Sequence, residues 1–306
     1  MSDGQAVAVP RHTGRTRVSS ARHRLIPYGL LGPGLLWLVL FFALPMYFMF
    51  RLSLDSGTLE TGFKFSWQWS NYQDALSLYD TQFLRSFYYA GAATLIALLI
   101  SYPLAYAIAF RAGRWRNAML LAIVAPFFTT YLIRTLAWET ILSDQSPVVH
   151  VLKTLGLVSS NGGVLATSTA VIAGITYNFL PFMVLPIYAS LERIDQSLLE
   201  AARDLYASPA QAFRRVTLPL SMPGVVAGTL LTFIPAVGDY VNAFFLGSTT
   251  NHMIGNTIQG LYLTQRDYPA AAALSFVLMA AIMVMVFVYI RFAGSEALMG
   301  EEARPA

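Results

Sequence analysis

The sequence predicts an all-α integral membrane protein of six transmembrane helices, and three observations carry that prediction. Hydrophobic residues make up 56% of the chain and charged ones 12%, a balance outside the range of soluble domains. Charges are missing from long stretches, and a run of about 20 apolar residues is what a hydrocarbon core about 30 Å thick requires of a helix. Between those runs the arginines gather on alternate loops, the topogenic pattern of a multi-pass protein.

The first span is read at 28–50, behind a basic tail, 1–25, that holds Arg11, Arg15, Arg17, Arg22 and Arg24. It is longer than a signal-peptide core of about 7–15 residues and no A-x-A site follows, so it is expected to stay uncleaved. The other spans are read at 86–110, 117–142, 168–191, 224–247 and 270–290. The loops after the second and fourth hold Arg111, Arg114 and Arg116, then Arg193, Arg203, Arg214 and Arg215. The opposite loops, 51–85, 143–167 and 248–269, hold only Arg51, Lys64, Arg85, Lys153 and Arg266. The asymmetry predicts a cytoplasmic N-terminus, and an even number of spans returns the C-terminal tail, 293–306, to the same side. Everything from 26 to 292 is read as one membrane domain. Trp67, Trp69, Tyr72, Tyr88 and Tyr89 are expected at headgroup level. Pro45, Pro103, Pro126, Pro181, Pro186 and Pro235 fall inside spans, where each removes a backbone donor and tends to kink the helix.

Several functions are excluded by composition. The net charge is +4, but only Lys64 and Lys153 are lysines and the arginines flank apolar runs, so the charge reads as topology rather than as a nucleic-acid surface. There is no cysteine, hence no disulfide and no thiolate chemistry. A P-loop needs a Gly-Lys-Ser/Thr step, yet Phe63 precedes Lys64 and Leu152 precedes Lys153. Any ATP hydrolysis must therefore be borrowed. The four histidines, His12, His23, His150 and His252, are scattered over tails and loops, and neither a metal set nor a catalytic set is expected.

The segment 191–223 is too long for a turn between spans. Ser197 stands three residues before Glu200, and Ser208-Pro209 precedes Gln211, the spacing of two capping boxes. Two short helices are expected, starting at about Leu198 and Pro209. Leu198, Ala201, Ala202 and Leu205 recur at helical spacing, with Glu200, Arg203 and Asp204 beside them, as a docking knob would need.

Glu200-Ala201-Ala202-Arg203-Asp204-Leu205, followed by Leu218-Pro219-Leu220 and Pro223-Gly224, resembles the EAA coupling loop of ABC importer permeases. The resemblance implies the type I importer fold and a noncatalytic subunit in the inner membrane of a bacterium. It implies a second, different permease chain, a dimer of cytoplasmic ATPases that holds ATP and magnesium, and an extracytoplasmic solute-binding protein. By the same resemblance Glu200, Ala201, Ala202, Asp204 and Ser208 touch the ATPase. Tyr206 stands where the family usually has glycine. Arg134-Thr135-Leu136-Ala137-Trp138, Leu180-Pro181-Phe182-Met183 and Arg266-Asp267-Tyr268-Pro269 resemble the B-type permease subunits of spermidine/putrescine importers, while related importers carry iron, thiamine, sulfate and other solutes.

Arg134, Glu139 and Asp239 are the ionisable residues inside the predicted spans, and intramembrane charges are functional candidates by default. Arg134 and Asp239 are expected at similar depth and able to pair. Alternatively Asp239 or Glu139 attracts ammonium groups while Trp138, Tyr177 and Tyr240 offer ring faces, and an anionic solute would favour Arg134 instead. Two other classes stand beside the importer. An ion-driven secondary transporter would need no docking loop, and a membrane enzyme would need a polar catalytic cluster at one depth.

Overall fold

The computed structural model describes residues 31–156, 158–159 and 162–293. The basic tail 1–25, the predicted first-span residues from Tyr28 to Leu30 and the tail after residue 293 lie outside the described residues. Two units are distinguished, Met1–Arg51 and Leu52–Ala306.

The first span is a helix over Leu31–Ser53, all but its last two residues in the first unit, and it widens into a π turn at Val39–Ala43. The ring of Pro45 presses on the carbonyl four residues back, that of Phe41, which is the middle of this turn. The wider turn absorbs the clash without breaking the helix.

In the second unit the second, fourth and sixth spans are unbroken helices, Asp80–Phe110, Ser168–Glu192 and Tyr268–Phe292. The third differs from the single helix predicted at 117–142. It is a pair of segments, Gly113–Phe128 and Tyr131–Leu142, bent by 97°. Pro126 ends the first in a tight turn, Ala125–Phe128, and Thr129 and Thr130 are extended, with ψ of 143° and 147°. The fifth span, predicted at 224–247, starts earlier and ends earlier, running over Pro209–Val237. Gly238 closes it, and Val241–Leu246 is a separate short helix.

The second, fourth and fifth spans form the centre of this unit. Small residues let them approach: Ala90, Ala93, Ala97 and Ala105 on the second are fully covered. A Cβ on Gly224 would lie 2.4 Å from the carbonyl oxygen of Pro186, and one on Gly228 would lie 3.0 Å from that of Met183. The pair is a small-xxx-small seam, by which membrane helices bring backbones together without a hydrophobic driving force between them. One apolar cluster joins the ends of the second and fourth spans to the fifth through Ile108, Ile187, Leu191, Ile194 and Val225. A second lies at the opposite end, where Tyr89, Val171, Phe233, Leu246 and Leu274 meet.

Short elements cap that opposite end. Asp55–Ser56 pairs antiparallel with Lys64–Phe65, a small departure from the all-α expectation, and helix Ser70–Leu78 packs on the sixth span. Tyr89 is buried rather than interfacial, its hydroxyl sharing a 2.6 Å hydrogen bond with the Ser168 hydroxyl. The Ser86 hydroxyl accepts from the Ile254 amide at 2.7 Å, and Arg85 donates to the His252 carbonyl at 3.0 Å. Trp67, Trp69 and Tyr88 stay exposed.

Candidate functional site

The loop between the fourth and fifth spans is built from its caps. Its first helix is Gln196–Asp204, and the cap is Asp195 rather than Ser197, because the Asp195 carboxylate accepts from the Ser197 amide at 2.9 Å. The amide favours the charged form and holds the Asp195 carboxyl below the usual carboxylate range. The second cap follows expectation: Ser208 accepts from the Gln211 amide and the Gln211 side chain accepts from the Ser208 amide, with Pro209 in the first turn.

Between them the first helix ends in a Schellman motif. The Ala207 amide donates to the Ala202 carbonyl at 3.0 Å and the Tyr206 amide to the Arg203 carbonyl at 2.9 Å. That geometry demands a left-handed residue between them, and Tyr206 adopts it with φ of 58°. A side chain there costs on the order of 1 kcal/mol relative to glycine. None of the described residues covers the ring. Tyr206 is 97% exposed and Leu205 82%. Glu200, Ala201 and Asp204 are exposed, as is Ser208, and Ala202 is partly covered.

The second short helix is not separate, as predicted, but the first turn of the fifth span. Pro209–Ala212 passes through a π turn at Phe213–Thr217 into Leu218–Val237. Pro219 repeats the device seen at Pro45, its i−4 carbonyl, that of Arg215, lying in the wide turn. A continuous rod thus joins the knob to the membrane bundle. Beside the loop, Arg116 is ion-paired with Glu192, hydrogen-bonded to the Tyr188 hydroxyl and stacked on the Tyr188 ring at 5.1 Å. These contacts fasten the start of the third span to the end of the fourth.

The second set of polar groups lies where the third and fifth spans break. Tyr131, Arg134, Thr135, Trp138 and Leu142 recur at helical spacing along the inner face of Tyr131–Leu142, and Arg134, Thr135 and Leu142 are buried. Asn242 is the hub. Its Nδ2 donates to the Tyr131 hydroxyl and to Asp239 Oδ2, both at 2.6 Å, and its Oδ1 accepts from Asn178 Nδ2 at 3.1 Å. Asp239 Oδ1 accepts from the Val241 amide at 3.0 Å and so starts the short helix.

Arg134 and Asp239 are 9% and 6% exposed, but they form no ion pair among the described residues, contrary to the pairing the sequence left open. The Arg134 guanidinium instead lies over the rings of Phe127 at 4.7 Å and Tyr131 at 5.7 Å, and its Nε has no hydrogen-bond partner. Aromatic faces satisfy it as a cation, while Asp239 is taken up by Asn242 and the backbone. Trp138 and Tyr177 stand together, ring centroids 5.4 Å apart. Glu139 is half-buried, and Tyr240 is exposed. Asn178, Asn242 and Tyr131 belong to none of the motifs and charges read from the sequence, because neutral polar side chains carry no charge signal. The signal was there in Asn178 and Asn242, two amides inside otherwise apolar runs.

With this geometry in place, the comparisons with known proteins are decisive. The family model of binding-protein-dependent transport system inner membrane components matches residues 95–297. The chain belongs to that family. It is the noncatalytic permease subunit of an ABC importer and a multi-pass inner-membrane protein. This permease is 38% identical over 256 residues to the spermidine/putrescine transport system permease protein PotB of Escherichia coli, covering 83% of this chain and 93% of that one. It is 36% identical to the protein of the same name from Haemophilus influenzae, covering 83% and 90%. The fold matches that of a bacterial ABC transporter that imports the acidic polysaccharide alginate, with a TM-score of 0.67 at 19% identity over 89% of this permease and 96% of that chain. It matches the same kind of transporter in complex with a pentasaccharide-bound periplasmic protein with a TM-score of 0.62 at 20% identity, over 91% and 99%.

Proposed function

We propose that this permease carries polyamines of the spermidine and putrescine type, as half of a translocation pathway. The observation that supports the cargo is the 36–38% identity over most of the chain to two permeases named for those solutes. The other half is a second, different permease chain. An extracytoplasmic solute-binding protein delivers the cargo, and two cytoplasmic ATPase subunits, which hold the ATP and magnesium, dock on the 191–223 loop. In this reading both termini lie in the cytoplasm, which the arginine asymmetry supports.

In this reading Glu200, Ala201, Ala202, Asp204, Tyr206 and Ser208 form the ATPase contact. Closure of the ATPase pushes the knob, and the rod from Pro209 carries the displacement to the fifth span, tilting it between inward-facing and outward-facing states. Trp138, Tyr177 and Tyr240 offer faces to ammonium groups and Glu139 supplies the nearby carboxylate. Asp239 acts through Asn242, shaping the break rather than meeting solute directly.

A second reading is favoured by one observation: Arg134 is a buried cation without an ion pair, which suits an anionic solute. The deciding experiment reconstitutes the complete importer in liposomes with its binding protein and measures ATPase stimulation by spermidine, putrescine and a panel of anions. Stimulation by a polyamine is the expected result. Stimulation by anions alone sinks the polyamine assignment, and failure of the ATPase to associate sinks the docking assignment.

A further inference from the structure

Among the described residues Tyr206 is the most exposed large hydrophobic side chain. Its backbone is in the left-handed region at φ of 58°, where glycine rests without strain. Tyr206 is 97% exposed, so no packing contact among the described residues offsets the strain. Strained backbone of this kind concentrates where a surrounding structure or a partner makes use of it. The Schellman hydrogen bonds fix the direction in which the residue leaves the helix, and Leu205 beside it is 82% exposed. Together they form a rigid apolar tip at the end of helix Gln196–Asp204.

The charges around the tip indicate what it meets. Asp195, Glu200 and Asp204 stand on this helix and its cap against the single Arg203. These carboxylates disfavour the anionic lipids of a cytoplasmic leaflet, although Arg193 precedes the helix and Arg214 and Arg215 stand in the wide turn packed beside it. A protein groove with a basic rim and an apolar floor complements it. Aromatic side chains that fill such pockets are the residues that dominate binding energy at interfaces.

We infer that Tyr206 is an aromatic anchor that inserts into a ring-sized apolar pocket, bordered by basic side chains, on the partner ATPase, and that it sets which ATPase this permease accepts. The inference rests on the reading of the 191–223 loop as the docking loop. Glycine at this position offers a partner only backbone, so an ATPase matched to this chain has a cavity that one matched to a glycine-bearing loop lacks.

The test compares wild-type permease complex with Tyr206→Gly, Tyr206→Phe and Glu200→Ala, measuring ATPase affinity in detergent and again in anionic liposomes, with thermal unfolding of the permease as a check on folding. Tyr206→Gly removes the left-handed strain, so its unfolding midpoint stays level or rises, yet its ATPase affinity falls about tenfold or more, as loss of a buried anchor does. Tyr206→Phe keeps the ring and stays within about threefold of wild type. Wild-type affinity in Tyr206→Gly with loss in Glu200→Ala overturns the anchor and leaves the docking loop standing. Wild-type affinity in both overturns the docking loop itself. An effect of Tyr206→Gly seen only in liposomes assigns the ring to lipid and overturns the inference as well.

Discussion

Asn242 shows how much one neutral side chain holds. It joins the second half of the third span, the fourth span and the helix that follows the fifth, through Tyr131, Asn178 and Asp239. Asn242→Ala leaves these groups buried without it, at about 1–3 kcal/mol for each one orphaned. The expected outcome is a clear fall in the thermal unfolding midpoint of the detergent-solubilised protein, larger than for alanine at exposed Tyr240. At Asp195 the expectation concerns pH. Its carboxyl is held below the usual range, so the stabilisation it gives the helix is present above the unfolded value and is lost as pH falls through the lower folded value. The protection of the Ser197 amide against hydrogen exchange, relative to its intrinsic rate at each pH, should therefore fall below about pH 4, and Asp195→Asn should abolish that dependence.

Among the elements, the fourth and fifth spans are set by what their backbones allow. Gly224 faces the Pro186 carbonyl and the Ser190 side chain so closely that a Cβ finds no room. Gly224→Ala is expected to force the helices apart and to destabilise by about 1–3 kcal/mol. Gly91, whose added Cβ meets nothing within 4 Å, is the control, and unfolding in detergent distinguishes the two. The fifth span also shows why element boundaries were harder to read than element existence. Hydropathy marks where lipid-facing residues lie, but Pro209, Pro219 and two loop arginines hide the fact that the helix begins well before its apolar stretch. The wide turn at Phe213–Thr217 makes that continuity possible, and a π turn has no sequence signature of its own.

At the scale of the molecule, the rod from Pro209 to Val237 is a continuous helical path along which a push on the loop reaches the bundle. Inserting Gly-Gly between Thr217 and Leu218 should leave ATPase binding intact while lowering uptake about tenfold or more, since a flexible joint absorbs the movement. Uptake at the wild-type rate in that variant would remove the rod from the coupling path.

The sequence alone determined the membrane class, the family and the existence of a capped loop between the fourth and fifth apolar runs. These depend on local composition and on a contiguous motif, and lipid imposes its length and hydropathy on each helix separately. Only the tertiary structure decided that the third span bends by 97°, that Arg134 meets rings and Asp239 meets Asn242, and that Tyr206 points outward from a left-handed turn. Each of these is a relation between residues distant in sequence or a property of backbone direction. In a bilayer the neutral polar groups that organise such relations leave almost no trace in hydropathy.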